Sequence, residues 1–466
     1  MFKHRAFGLI ALVAALAILT TCGGVAGDSR RGDGGGGDTG GGGGSVQAVN
    51  HVIILMQENR SFDSYFGQMT EYRRRNNIPI NSSDGRIRDF SEGNFTNISP
   101  ADNQPIAPYH TGSVCTENLS PDWSESHKMF NVATPGSTEY RMDGFVDVAY
   151  GLSQAFNLVD QSGRRAMGYF TDAELNYYYF MASQFAMSDM MFSPVPSNTP
   201  PNRLYMHAAT SQGHAHTPAT QISAKTIWQA LDEKGVSWKI YITDTETNFT
   251  FLEFFTYFNN PTVQSKIVPL SQYFDDVKNG TLPAVAFIET GMNSGLDEHP
   301  SNVNPATGQV HQINIQNGAE YAATLINALM NSVSWKDSVF FWIFDEAGGP
   351  FDHVPPANVP NPDGIAPQDL LPEKDPARDF DHTGMRIPNF IVSPFARKNY
   401  VSHTPMDFTA ILKFIETRWD IPPLTRRDAS MPDMLEFFDF RNGGPWATPP
   451  TPPVQVKNGA CDFSRQ

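Results

Sequence analysis

From His51 onward, short apolar runs alternate with stretches of helical period. Residues 52–56, 236–242, 284–288, 339–344 and 390–393 are mostly β-branched or aromatic and predict strands. Residues 172–187, 224–234, 319–330 and 407–418 carry apolar positions at i, i+3 and i+4 and predict helices. In the last of these, Phe408, Ile411, Leu412 and Ile415 make one face, while Lys413, Glu416 and Arg418 are expected to point away. Such alternation predicts an α/β fold with a mostly parallel sheet and helices on both faces. Asn-, Pro-, Ser- and Gly-rich stretches at 76–126 and 354–378 break the pattern and are expected as long loops over the active-site face. From His51 onward there is no internal repeat and no GxGxxG.

The N-terminus follows a different rule. Lys3, His4 and Arg5 precede the apolar run FGLIALVAALAILT at 7–20, which has the length of a signal peptide and is short for a membrane span. The protein is therefore expected to be exported. Leu19-Thr20-Thr21-Cys22-Gly23 resembles a bacterial lipobox, whose Cys would be lipidated, although Thr21 stands where Gly, Ala or Ser is usual. Ordinary signal cleavage nearby is the alternative. Of the 37 glycines, 13 fall between Gly23 and Gly44, a composition that cannot build a core and reads as a flexible tether. The expected organisation is a leader at 1–21, a tether at 22–49, a catalytic domain at 50–440 and a Pro-rich tail at 441–466.

Composition narrows the class. The 33 Lys and Arg against 49 Asp and Glu give a formal charge of −16, which argues against a nucleic-acid binder. At 40% hydrophobic and 12% aromatic, the 466 residues can bury a substantial core. Cys115 and Cys461 are the cysteines beyond the tether. They could pair and pin the tail to the body, or remain as two buried thiols, and neither has the CxxC spacing of a thiolate zinc site.

Three segments carry chemistry. In HVIILMQENRSFDSYFG (51–67) a strand runs out into Glu58 and Asn59, and in SVFFWIFDEAGGPFDHVPP (338–356) another runs out into Asp345 and Glu346, followed by Asp352 and His353. Side chains just past the carboxyl ends of parallel strands face the ligand crevice. Acids at neighbouring strand ends repel one another unless a cation lies between them, and hard oxygen donors suit a divalent ion. Taken singly, each segment could be only a polar turn capping the next element. In the third, SPVPSNTPPNRLYMHAATSQGHAH (193–216), prolines stiffen a turn that presents Ser197, Asn198 and Thr199. A hydroxyl held beside a metal can lose its proton and attack phosphorus; otherwise such residues form turns and caps.

In order, Glu58-Asn59-Arg60-Ser61-Phe62-Asp63, the Thr-x-Pro-Asn-Arg of 199–203, Asp297-Glu298-His299-Pro300, Asp345-Glu346 with Gly348-Gly349, Asp352-His353-Val354-Pro355, Ser393-Pro394 and Leu424-Thr425-x-Arg427-Asp428 resemble the bacterial and plant phosphoesterase family of non-specific phospholipases C and acid phosphatases. The resemblance implies an alkaline-phosphatase-like sandwich with its active site at the carboxyl edge of the sheet. It implies one divalent metal ion (calcium, magnesium, manganese or zinc) on Glu58, Asn59, Asp345, Glu346 and Thr199, with Thr199 as nucleophile. It also makes His127, His299 and His353 candidate proton carriers. Arg203 could contact phosphate or tie the turn to the fold. Ala347 departs from the family, which commonly has His there. His110, His207, His214, His216 and His403 stay unassigned.

The substrate is then a phospholipid, or a small phosphate ester if the chain is an acid phosphatase, and a lipid anchor would hold it at a membrane. No nucleic-acid partner is expected. From a different class, a non-catalytic surface lipoprotein on the same fold would be expected to have lost a ligand or the nucleophile, and none is missing.

Overall fold

The most apolar strand candidates lie at the centre of the molecule. The computed structural model describes residues 44–132, 139–303 and 310–466. The expected leader, Cys22 and most of the tether lie outside the described residues. The last predicted tether residues, Val46–Ala48, form a 3-10 turn capped by Ser45, and Val49 is buried. The central sheet has 8 strands. In chain order they are β1 (His51–Gln57), β2 (Ala186–Ser188), β3 (Trp238–Ile242), β4 (Ile267–Pro269), β5 (Val285–Glu289), β6 (Ser338–Phe344), β7 (Phe390–Val392) and β8 (Tyr400–Ser402). Across the sheet the order is β8-β2-β7-β6-β1-β5-β3-β4, parallel except where β7 runs against β6 and β2.

The main helices are α1 (Trp123–Phe130), α2 (Asn176–Gln184), α3 (Thr199–Ala208), α4 (Ile227–Glu233), α5 (Ile315–Met330) and α6 (Thr409–Trp419). Every residue of β5 and β6 is buried, as a parallel sheet covered on both faces requires. Neighbouring side chains of a strand point to opposite faces. In β6, Phe341 meets Phe414 of α6 (ring centres 5.6 Å apart) while Trp342 meets Tyr178 of α2 (4.1 Å), so these helices cover opposite faces. The α/β sandwich expected from the sequence is the one observed.

Some element boundaries differ from the sequence reading. The helix expected over 172–187 stops at Gln184, and Ala186–Ser188 becomes β2 by pairing with Tyr400–Ser402. The expected loop at 76–126 ends early, because Trp123 begins α1. Glu416, expected on the outward face of α6, is buried where the short helix Arg426–Ser430 packs. Burial and the neighbouring Asp428 raise its carboxyl to about 9. Cys115 and Cys461 form a disulfide, Cα to Cα 4.9 Å, which fastens the tail to the body. Among the described residues, no helix is long and apolar enough to cross a membrane.

Candidate active site

Strand register assembles the acids. Met56 of β1 lies opposite Glu289 of β5, and Gln57 lies opposite Phe344 of β6. Parallel strands sit about 4.8 Å apart, so Glu58, Glu289 and Asp345 emerge side by side at the carboxyl edge. All three are buried, as is Glu346. Asp345 Oδ1 accepts the backbone N–H groups of Asn59 (3.2 Å) and Glu346 (2.7 Å), which joins the two strand ends. Glu346 Oε2 accepts the N–H of Gly348 at 2.6 Å. Gly348 has φ +76°, and a Cβ there would fall on the Asn59 carbonyl oxygen. Only glycine fits that crossing.

Thr199 enters from the Pro-rich turn. Asn198 caps α3 in extended conformation, and Pro200 and Pro201 follow Thr199 in the first turn. The turn is tied by Asn202, whose Oδ1 accepts Val195 N–H (3.1 Å) and whose Nδ2 donates to the Ser197 carbonyl (2.7 Å). Thr199 Oγ1 donates to Glu58 Oε2 at 2.9 Å. One turn on, buried Arg203 donates to Glu58 Oε1 (2.6 Å) and Glu289 Oε2 (3.2 Å), with its Nε 3.5 Å from Asp345 Oδ2. Its guanidinium thus anchors α3 to all three strand ends.

Glu58, Glu289 and Asp345 thus share one buried cation, and Glu346 adds a further carboxylate beside them. Burial first, then the field of Glu58, pushes Asp345 well above the ordinary carboxylate range, and burial with Asp345 does the same to Glu346. Burial and Glu58 likewise raise Asp297. Asn59 Oδ1, Asn198 Oδ1, Asp345 Oδ2 and Glu346 Oε1 are buried oxygens without a hydrogen-bond partner. Buried acceptors are rarely left so. A set of unpartnered hard oxygens with excess negative charge fits a divalent cation.

The candidate histidines lie apart from one another. His299 is on the turn whose Asp297 carbonyl accepts Glu58 N–H (2.9 Å), and its Nδ1 donates to the Pro300 carbonyl (2.6 Å). Burial lowers its pKa, opposed by Glu58. His127, on α1, donates from Nδ1 to the Trp123 carbonyl (2.6 Å), and burial holds it at about 3. It borders a cavity of about 980 Å³ with Lys128, Asp143, Asp147 and Arg378. His353 belongs to another cluster.

In that second cluster Asp63, Asp352 and His353 offer ligand atoms within 4.8 Å of one another, a geometry that could hold a metal. Their lone pairs are committed, however: Arg386 donates to Asp63 Oδ1 (2.8 Å) and Asp352 Oδ1 (2.9 Å), and His353 Nδ1 bonds Asp63 Oδ2 (2.6 Å). His353 Nε2 reaches Glu92 Oε2 at 3.2 Å. Burial and Asp63 leave Asp352 at about 6, with Arg386 opposing.

The structure thus gathers Glu58, Asn59, Thr199, Arg203, Asp345 and Glu346 and places His299 beside them, while His127 is bonded within its own helix and His353 to Asp63. Sequence reasoning missed Glu289, although it ends a strand just as Glu58 and Asp345 do. It also missed Asp122, which accepts Asn198 Nδ2 at 2.8 Å and lies within the electrostatic reach of Glu346. Ala347 sits in an apolar cluster with Leu119, Met129, Phe351 and Met385.

The sequence profile of the Phosphoesterase family matches residues 49–422. Non-specific phospholipase C1 of Arabidopsis thaliana is 25% identical over 420 residues, covering 84% of this chain and 72% of the relative. Non-specific phospholipase C5 of the same plant is 28% identical, covering 76% and 66%. Phospholipase C B of Mycobacterium tuberculosis is 27% identical, covering 87% and 79%. Part of each relative's length therefore has no counterpart in the match. Among solved structures, a protein in the alkaline phosphatase superfamily from Vibrio parahaemolyticus overlaps 56% of this chain and 64% of its own at 15% identity; its TM-score of 0.33 is too low to carry an argument.

Proposed function

The chain belongs to the Phosphoesterase family, and on that premise we propose that it is a metal-dependent phospholipase C acting through a covalent phospho-Thr199 intermediate. The observation that carries this reading is the Thr199 hydroxyl, 2.9 Å from Glu58 Oε2 at the edge where the buried Asp345 and Glu346 converge. Glu58, Asn59, Asp345, Glu346 and Thr199 would hold the ion. When bound, it supplies positive charge that lowers the hydroxyl's pKa and offsets charge developing on the phosphoryl oxygens.

The residues of the chain do the rest. Glu58 Oε2 is in place to accept the hydroxyl proton as Thr199 Oγ1 attacks phosphorus. The new Oγ1–P bond forms as the P–O bond to the alcohol breaks. His299 is the candidate nearest the field of Glu58, and with Nδ1 held by Pro300 its Nε2 is the atom that exchanges a proton with the departing oxygen. Water then attacks the phospho-Thr199 and restores the hydroxyl. For a phospholipid the first product is diacylglycerol and the second the phosphorylated head group. Pro200 and Pro201 have no N–H to offer, so among the first three residues of α3 only Thr199 brings a backbone donor to the phosphoryl group.

The phospholipid assignment rests on the relatives, which are named as phospholipases C; acid phosphatase activity on monoesters is the competing reading. Turnover of phosphatidylcholine and of a simple aryl phosphate by purified protein separates them. Fast lipid hydrolysis is expected, and aryl phosphate cleavage with negligible lipid turnover would reverse the assignment. Acid-quenched turnover of a radiolabelled phospholipid should leave label on Thr199, and an unlabelled protein under single-turnover conditions would remove the covalent step.

A further inference from the structure

Two histidines outside the carboxylate cluster share an uncommon state. His127 and His382 pack with ring centres 5.5 Å apart and ring planes nearly perpendicular at 86°. In each, Nδ1 is held by an oxygen: the Trp123 carbonyl for His127 (2.6 Å) and Asp381 Oδ1 for His382 (2.9 Å). An oxygen acceptor keeps a proton on Nδ1, which in a neutral ring leaves the lone pair on Nε2. Both Nε2 atoms are buried and have no partner. His382 itself is only 6% exposed.

A neutral imidazole with Nδ1–H anchored on a carbonyl or carboxylate and Nε2 free is the arrangement that precedes metal ligation, the anchoring oxygen setting tautomer and ring orientation. Separation fits as well. With metal–nitrogen bonds of about 2.0–2.1 Å and a tetrahedral angle, two imidazoles sharing one ion have ring centres about 5 Å apart. Burial keeps His127 uncharged across the ordinary pH range, as a ligand must be. Arg378 opposes a cation nearby, but Asp381 is in contact with His382, and the field of Asp375, whose side chain is buried, reaches His127. The His127 ring also lines the cavity of about 980 Å³, with His382 packed behind it. Phe130 and Tyr140 border the pair, with ring centres 6.1 and 6.3 Å from that of His382.

We propose that His127 and His382 form a second, nitrogen-rich cation site at the wall of this cavity, selective for borderline transition ions such as Zn²⁺ and distinct from the oxygen-rich cluster of Glu58, Asp345 and Glu346. Nitrogen donors suit zinc, copper or nickel, whereas carboxylate and amide oxygens suit calcium, magnesium or manganese. The site stands whether or not the phospholipase assignment does, since it rests on different residues.

The test is a crystal of the mature chain soaked in zinc chloride, with anomalous scattering collected at the zinc edge. An anomalous peak about 2.0–2.3 Å from both Nε2 atoms is expected. Density only at the carboxylate cluster, or none, overturns the proposal. Calorimetric titration of untagged protein with Zn²⁺ should resolve a class of site weakened at least tenfold in His127→Gln and in His382→Gln but retained in Glu346→Gln. Asp381→Asn should weaken it about tenfold through the lost anchor. Zinc binding unchanged in both histidine variants would refute it even if crystals fail.

Discussion

Thr199 combines a proton acceptor at 2.9 Å with a helix start from which two prolines have removed backbone donors. On the proposed mechanism, replacing its hydroxyl takes away the attacking atom and little packing. Thr199→Ala should therefore lower kcat on the order of 10³-fold or more while the thermal midpoint stays within a few degrees; retained turnover would show that another group attacks phosphorus. Gly348 is constrained differently. Its positive φ and the closeness of the Asn59 carbonyl leave no room for a methyl group, and the loop it closes holds both Asn59 and Glu346. Gly348→Ala should cost about 1–3 kcal/mol of unfolding free energy, read from urea denaturation, with weakened metal binding. These two roles were unequally visible in the sequence. Thr199 was marked by its neighbours and Gly348 by its motif, but the φ of Gly348 and its contact with Asn59 follow from where β1 and β6 place their ends.

At the scale of elements, α3 is fixed to the sheet through Arg203, which meets acids from β1, β5 and β6. Removing one partner of a buried ion pair strands the others without compensation. Arg203→Leu should destabilise by about 3 kcal/mol or more, measurable by chemical denaturation. A second tie joins the Asp352-His353 segment to the loop carrying Glu92 and Phe95, whose ring stacks on His353 at 4.5 Å. Burial pushes His353 down, but Asp63 outweighs it and holds the imidazole above its ordinary value of 6.5. For Asp63, burial pushes up and His353 with Arg386 more than offsets it, leaving the carboxyl below 3.8. The pair's contribution is therefore lost on the acid side as pH falls through the lowered Asp63 value, and on the basic side as pH rises through the raised His353 value. Between pH 6 and 9 the thermal midpoint should fall in the wild type and be flatter in His353→Gln. Equal slopes in the two proteins would exclude His353 as the group responsible.

For the molecule as a whole, the disulfide spans 346 residues of sequence and is the covalent tie between the Pro-rich tail and the body. Cys461→Ser should cost about 2–5 kcal/mol and expose the tail to limited proteolysis, both absent if the tail's other contacts suffice. The ion proposed for the carboxylate cluster would add to stability as well. Withdrawing an ion present at 100 times its dissociation constant should cost about 2.7 kcal/mol, seen as a lower thermal midpoint that added divalent ion restores. What the chain determined by itself is local and periodic: the five strand candidates, the apolar faces of the helices, and the acids and threonine written beside them, since period and turn chemistry act over a few residues. Tertiary structure decided the rest. It made Ala186–Ser188 a strand through a partner more than 200 residues away, buried Glu416 under another helix, and committed Arg203 to three carboxylates. It also brought Glu289, Asp122 and His382 to places no motif indicated. Those outcomes depend on register and crossover between segments distant in sequence, and distance in space is not written in the local pattern.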